Sequence, residues 1–272
     1  HKLDSSVFKS SMLMRPVFEA ARIAPRRIVF AEGEDERVLR AAQEILRETT
    51  ETPILIGRPE VIESRAERLG LSIRPGQDVQ IVNPENDPRY RDYWTSYHRI
   101  MERQGVTPDL AKAILRTNTT AIGGIMVHRG EADSLICGTF GEYRWHLNYV
   151  QQILGGGSYA PHGALSMMIL EDGPLFIADT QVRIEPTPEE IAETVIGAAR
   201  HVRRFGLTPQ IALCSQSQFG NIPCDTGARL RAALEILDDK RRDFIYEGEM
   251  NIDTALDPEL RERIFPNSRL EG

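Results

Sequence analysis

Lysine is nearly missing from this chain: of 33 basic residues only Lys2, Lys9, Lys112 and Lys240 are lysines, and the rest are arginine. The bias fits genome composition rather than a lysine-based chemistry. Cysteine is equally scarce. Cys137, Cys214 and Cys224 form no Cys-x-x-Cys pair, which argues against a disulfide framework or a zinc site and for a reducing compartment. No run approaches the ~20 apolar residues that a membrane-spanning helix needs, and no signal-peptide core stands at the N-terminus. Positive charge is in deficit, with a net charge of −7, which disfavours nucleic acid or an anionic membrane as partner. There is no Walker A loop, no Gly-x-Gly-x-x-Gly after a strand, no Gly-x-Ser-x-Gly elbow and no His-Glu-x-x-His. His98, His128, His146, His162 and His201 are scattered without ligand spacing, so packing or exposed roles are expected for them.

What remains is an ordinary globular composition, 41% hydrophobic and 27% charged over 272 residues, enough for one large or two modest domains. The first half alternates strands and helices. Arg27–Ala31, Pro53–Gly57 and Val79–Asn83 are short apolar runs. The first two are followed by amphipathic stretches: one carries Val38, Leu39, Ala42, Ile45 and Leu46, and the other runs from Pro59 to Gly70. That rhythm predicts a parallel, doubly wound sheet. Asp87 to Gly130 is helical and aromatic in pattern, Ser134–Cys137 is a further strand, and Glu142 to Leu154 a further helix. Gly155-Gly156-Gly157 favours no regular element and is the expected hinge. The chain therefore divides into a lead-in over residues 1–24, a first α/β domain over 25–155 and a second over 156–272.

The second half holds the clearest single pattern. Pro174–Ala178 is an apolar run ending at Asp179. Thr187-Pro188-Glu189-Glu190 is a capping box with proline at the first helical position, Gly206 and Pro209 close the helix, and Gln210–Cys214 is the next strand. Strand, crossover helix and strand predict a parallel βαβ unit. Ligands of such sheets sit beyond the carboxyl ends of the strands, here near Asp179 and Ser215, Gln216 and Ser217. An ordinary turn is the alternative for the serine loop. Arg144, close to Gly138 and Thr139, could hold a phosphate or carboxylate through its guanidinium fork. The acidic run Glu32-Gly33-Glu34-Asp35 is explained by compensation of a helix dipole. Glu249 and Asp253, four apart, suit a polar helix face. Cys137 and Cys214 read as buried strand residues.

Several segments together resemble one family. Phe30–Leu39, Ala132–Gly138, Phe176–Thr180 with Pro186–Glu190, Ala212–Gly220, and Gly248–Met250 with Asp253–Leu256 resemble phosphate acetyltransferases in order over about residues 27–272. Met12–Phe18, Val82–Glu85, Arg89–Trp94 and Met126–Glu131 resemble most closely the C-terminal, phosphotransacetylase-like domain of large bacterial NADP-dependent malic enzymes. The chain opens on His1 rather than Met, which fits a piece of such a protein.

The resemblance implies two mostly parallel α/β domains with an acyl-CoA cleft between them, a cytoplasmic location, and homo-oligomerisation through this domain. The cleft is expected to draw on Gly138, Thr139, Arg144, Asn148, Asp179, Ser215, Gln216 and Ser217. It further implies a regulatory role, with acetyl-CoA as effector and an N-terminal malic-enzyme domain as partner. NADP and a divalent metal would then belong to that other domain, and no cofactor to this one. Active family members carry an arginine where Leu147-Asn148-Tyr149 stands, another where Met101 stands, and a lysine where Gln104 stands. Their late segment with a catalytic serine and arginine has no counterpart before Gly272. Catalysis by this chain is therefore not expected, with an active phosphate acetyltransferase and a purely structural oligomerisation module as the alternatives.

Overall fold

A computed structural model describes residues 2–155, 163–170, 173–180, 182–239 and 243–271. The chain forms two compact units, Phe18–Pro161 and a second made of His1–Val17 with His162–Gly272. Helix α1 (Lys2–Ile23) spans the change from one to the other.

The first unit is built from β1 (Ile28–Phe30), α2 (Glu36–Glu48), β2 (Ile54–Ile56), α3 (Pro59–Arg68), β3 (Gln80–Val82), α4 (Tyr90–Met101), α5 (Pro108–Thr117), α6 (Thr119–His128), β4 (Ser134–Ile136) and α7 (Tyr143–Leu154). Its four strands lie in the order β3-β2-β1-β4, all parallel, with Val29 opposite Ile54 and Leu135. Each strand is only three residues long and both faces are covered, so alternate side chains enter different cores. Val29, Ile54, Ile56 and Val82 pack with Tyr93, Tyr97 and the apolar side of α5 and α6. Phe30 and Leu55 face the other way, onto Leu39, Ala42 and Ile62 of α2 and α3. The expected doubly wound sheet is present. Helix starts follow local chemistry: Asp35 caps α2, Thr107 caps α5 and Asn118 caps α6, each by accepting a backbone N–H.

The second unit contains β5 (Leu165–Leu170), β6 (Gly173–Ala178), α8 (Pro188–Arg204), β7 (Gln210–Cys214), α9 (Asp225–Asp239), β8 (Ile245–Met250), α10 (Ile252–Leu256) and α11 (Pro258–Ile264). The capping box at Thr187 and Glu190 forms as expected, and Gly206 follows α8 at φ 75°. Ala192 and Val195 of α8, Leu213 of β7, and Ala233 and Leu237 of α9 share one core.

Strand pairing here departs from the sequence reading. The segment Pro174–Ala178 does not pair with Gln210–Cys214 among the described residues. β6 runs antiparallel to β5, from Leu165 opposite Ala178 to Leu170 opposite Gly173, and β7 pairs in parallel with β8. Only two positions separate β5 from β6 in the sequence, too few for the crossover that a parallel pair requires. Glu249 lies in β8 and not on a helix with Asp253. Cys214 is exposed rather than buried. Of the glycine triplet, Gly155 closes α7, while Gly156 and Gly157 lie outside the described residues.

Candidate functional site

The order β3-β2-β1-β4 means that the chain leaves β1 in one direction and returns to its opposite side with β4. Such a switch point opens a crevice at the carboxyl ends of the two strands. Ala31 continues the ladder there, its N–H donating to Ile136 O at 2.9 Å. Glu32 comes next and is 6% exposed. Its Oε1 accepts the Gly138 N–H at 3.1 Å, and its Oε2 is buried with no hydrogen-bond partner among the described residues. Gly138 stands at φ 91°, a left-handed conformation that a side chain would strain. The neighbouring Thr139 Oγ1 is also buried and without a partner among the described residues. His146 closes the back of this corner. Its Nε2 lies 2.8 Å from Phe140 O, and its Nδ1 lies 2.8 Å from Thr120 Oγ1. A carbonyl can only accept, so Nε2 carries a proton and donates to Phe140 O. Burial, reinforced by the Glu32 carboxylate, pushes the Cys137 thiol up to about 11.

Beside this corner lies a cavity of about 500 Å³ at the carboxyl ends of β1, β2 and β3, with Glu32, Arg58, Arg65, Arg116 and Phe140 among its walls. Gly33 makes the approach of the β1 and β2 loops possible. Its N–H donates to Ile56 O at 3.0 Å, and a Cβ there would stand 2.8 Å from that oxygen. Arg58 forks onto Glu34 through Nε and Nη2, both at 2.9 Å, and these bonds hold the Glu34 carboxyl below its usual range. Arg65 donates to the Glu34 carbonyl, and Arg116 to the carbonyls of Pro84, at 2.9 Å, and Glu85. Arg116 also lies over the Tyr90 ring at 3.8 Å. Neither Arg65 nor Arg116 pairs with a carboxylate among the described residues.

The structure divides the site residues expected from the sequence between the two units. Gly138, Thr139, Arg144 and Asn148 belong to the first, with Gly138 and Thr139 in the corner just described. Arg144 and Asn148 are exposed on α7. Met101, where the family resemblance places an arginine, is 3% exposed and packed in the apolar core with Tyr97.

Asp179, Ser215, Gln216 and Ser217 belong to the second unit. Asp179 follows β6 at φ 52°, donates its N–H to Ala164 O at 2.6 Å, and has a buried Oδ1 without a partner among the described residues. Ser215 Oγ accepts the Ser217 N–H at 2.9 Å, and buried Ser217 Oγ donates to Asn221 Oδ1 at 3.3 Å, so these hydroxyls hold the turn together. Gln216 is exposed. Underneath, fully buried Glu249 accepts from Arg231 Nη1 at 2.7 and 2.8 Å and from the Gly220 N–H at 2.9 Å.

Sequence reasoning passed over Glu32, Thr120, His146, Arg65 and Arg116. Glu32 looked like one more acid ahead of a helix. The available signal was its position directly after a strand, one residue before the glycine that allows neighbouring loops to touch.

The comparisons agree with this architecture. The family model described as "Phosphate acetyl/butaryl transferase" matches residues 12–272. An NAD-dependent malic enzyme of Rhizobium meliloti (strain 1021) is 50% identical over 100% of this chain and 36% of its own length. An NADP-dependent malic enzyme of Escherichia coli (strain K12) is 46% identical, with the same coverage of both chains. The chain thus spans about a third of the length of the malic enzymes it matches. Among solved structures, a phosphotransacetylase from Streptococcus pyogenes superposes with a TM-score of 0.82 at 27% identity, covering 96% of this chain and 78% of the other.

Proposed function

We propose a function from one premise: the chain belongs to the phosphate acetyl/butaryl transferase family. Within it, the chain is a phosphotransacetylase-like domain of the kind that malic enzymes contain. Our reading is that it is the C-terminal, regulatory part of a cytoplasmic malic enzyme. It binds acetyl-CoA or a related acyl-CoA and does not itself transfer the acetyl group. The parent oxidatively decarboxylates malate to pyruvate with a nicotinamide coenzyme. The two relatives are named for different coenzymes, NAD and NADP, so the choice belongs to the malic-enzyme part, as does the divalent metal.

The observation that carries the regulatory reading is Met101. Where active family members are expected to hold an anion with arginine, this chain has a thioether sealed in the core at 3% exposure. Asn148 at the second such position is neutral. Removing charges that stabilise a transition state typically costs a reaction about 3–4 kcal/mol per group, whereas a sensor needs binding alone. An effector regulates by binding one state of the enzyme better than another, and malate or coenzyme must then change its affinity reciprocally.

The test is calorimetric titration of the full malic-enzyme chain with acetyl-CoA, alongside an assay for phosphate-dependent release of CoA. Saturable heat with no acetyl phosphate formed is expected. No heat up to millimolar acetyl-CoA would sink the sensing reading. Phosphate-dependent thiol release would establish an active transferase instead. Loss of assembly on deleting the domain, with the acetyl-CoA response intact, would leave it a structural oligomerisation module.

A further inference from the structure

We propose that residues 138–141 form a strap whose grip is set by a proton on the buried pair His146 and Glu32, so that the acyl-CoA site bordered by Gly138 and Thr139 responds to pH. The identity of the ligand rests on the acyl-CoA reading above; the strap and its latch rest on geometry alone.

The strap joins β4 to α7 and is bounded by two glycines in left-handed conformations, Gly138 at φ 91° and Gly141 at φ 89°. Glycine adopts such a backbone without steric cost, which suits both ends of a segment that swings. Between them Phe140 is 66% exposed, so little apolar packing holds the segment down. Three side chains from outside the strap hold its backbone instead. Glu32 Oε1 accepts the Gly138 N–H at 3.1 Å, Arg37 Nη2 donates to Thr139 O at 2.5 Å, and His146 Nε2 donates to Phe140 O at 2.8 Å. Three consecutive residues are thus each tied to an ionisable group. Arg37 is exposed and keeps its charge at every pH in question. The two buried ties are the ones a proton changes. The strap also lies directly on the imidazole, since a Cβ on Gly141 would stand 3.2 Å from His146 Nε2.

His146 and Glu32 are 5% and 6% exposed. A neutral imidazole has one proton, and here it sits on Nε2, toward Phe140 O. A second proton goes to Nδ1, which faces Thr120 Oγ1 at 2.8 Å and Glu32 Oε1 at 3.9 Å. Glu32 has acceptor capacity to spare, because its Oε2 has no partner among the described residues. Opposite charges attract strongly where water is excluded. The imidazolium therefore draws in the carboxylate that holds Gly138, while its own bond to Phe140 O becomes charge-assisted. The other neighbours take no part in the exchange. Thr120 of α6 is neutral, and the Trp145 ring lies at right angles to the imidazole with centroids 4.8 Å apart. Glu142 and Arg144, beside His146 in the chain, are exposed. The Cys137 thiol at the end of β4, pushed up to about 11 by burial and by Glu32, keeps its proton where histidine titrates. Proton uptake seats the strap, and proton loss weakens both buried ties.

The test is hydrogen–deuterium exchange of the full malic-enzyme chain without ligand, read by mass spectrometry on the peptide that carries the strap. Rates at about pH 8 and about pH 6, which span the histidine range, are corrected for the intrinsic pH dependence of exchange. Protection in the wild type is expected to be about threefold or more higher at the lower pH. In His146→Gln the amide can still donate to Phe140 O, and in Glu32→Gln the amide oxygen can still accept the Gly138 N–H. Both variants are expected to show the same protection at the two pH values. Equal protection at both in the wild type would overturn the proposal whatever the variants do, as would a wild-type response in both variants. A calorimetric titration with acetyl-CoA then reads the site itself. Binding is expected to tighten about threefold more on acidification in the wild type than in His146→Gln, because a seated strap needs less ordering. The same change in both would overturn the coupling of strap to site. No acetyl-CoA binding at either pH would sink the sensing reading, and the exchange measurement would still decide the strap.

Discussion

Each unit of this chain buries one glutamate at the end of its parallel sheet, and the two are treated in opposite ways. Glu249 in the second unit is fully buried and saturated. Both its oxygens accept from Arg231, and Oε1 also accepts the Gly220 N–H. Glu32 in the first unit is 6% exposed and half satisfied, with one oxygen on Gly138 and the other without a partner among the described residues. A saturated buried carboxylate is a structural rivet that ties the loop after β7 to α9. An unsaturated one carries the cost of a buried acceptor that lacks its full set of donors. Burial does not separate the two roles. The count of donors around each oxygen does.

The largest effect that would break this comparison is on the saturated side. Arg231→Met leaves the Glu249 carboxylate buried without its cation, and a loss of about 3 kcal/mol in stability is expected, read as a lower urea midpoint. Glu249→Gln keeps the shape but weakens three charge-assisted bonds, so a loss of about 1–2 kcal/mol follows. Glu32→Gln should carry the opposite sign. Neutralising a half-satisfied buried carboxylate raises stability by up to about 1 kcal/mol, read as a higher urea midpoint. If Glu32→Gln destabilises as much as Glu249→Gln, the contrast collapses.

Smaller effects sharpen the picture of the corner around Glu32. Hydrogen bonding to Arg37 lowers the Asp35 carboxyl to about 2, below its unfolded value of about 3.9. The stabilisation is therefore complete above about pH 4 and is lost as pH falls through 2. Asp35→Asn keeps a capping side chain but loses the ionised bonds to Arg37, so lower stability at pH 7 that converges on the wild type as pH falls to 2 is expected. The smallest effect is kinetic. With its thiol pushed up to about 11, Cys137 should alkylate with iodoacetamide at a rate that climbs steeply from pH 8 to 11 in the native chain. A plateau by pH 9 would contradict its place beside Glu32.

How far the sequence foretold this molecule depended on whether the signal was local. The strands of the first unit, the cap at Thr187 and the glycine after α8 are written in adjacent residues, and they appear where expected. The pairing of β5 with β6 was legible in principle from the two-residue gap at Glu171 and Asp172. It was obscured because Pro174–Ala178 also fits the start of a βαβ unit. The site was less legible. Gly138 and Thr139 follow from strand ends, but Glu32, Thr120 and His146 meet across 26 to 114 residues of chain, a closeness that periodicity does not encode. Arg65 and Arg116 gave no pattern at all, since in an arginine-rich chain neither stands out until its partners are seen to be carbonyls.

The comparison rests on the claim that Glu32 is short of donors where Glu249 is saturated. The most direct measurement is the urea unfolding midpoint of the full chain in Glu32→Gln and in Glu249→Gln, each against the wild type. The account predicts a higher midpoint for Glu32→Gln and a lower one for Glu249→Gln. Equal losses in both would contradict it.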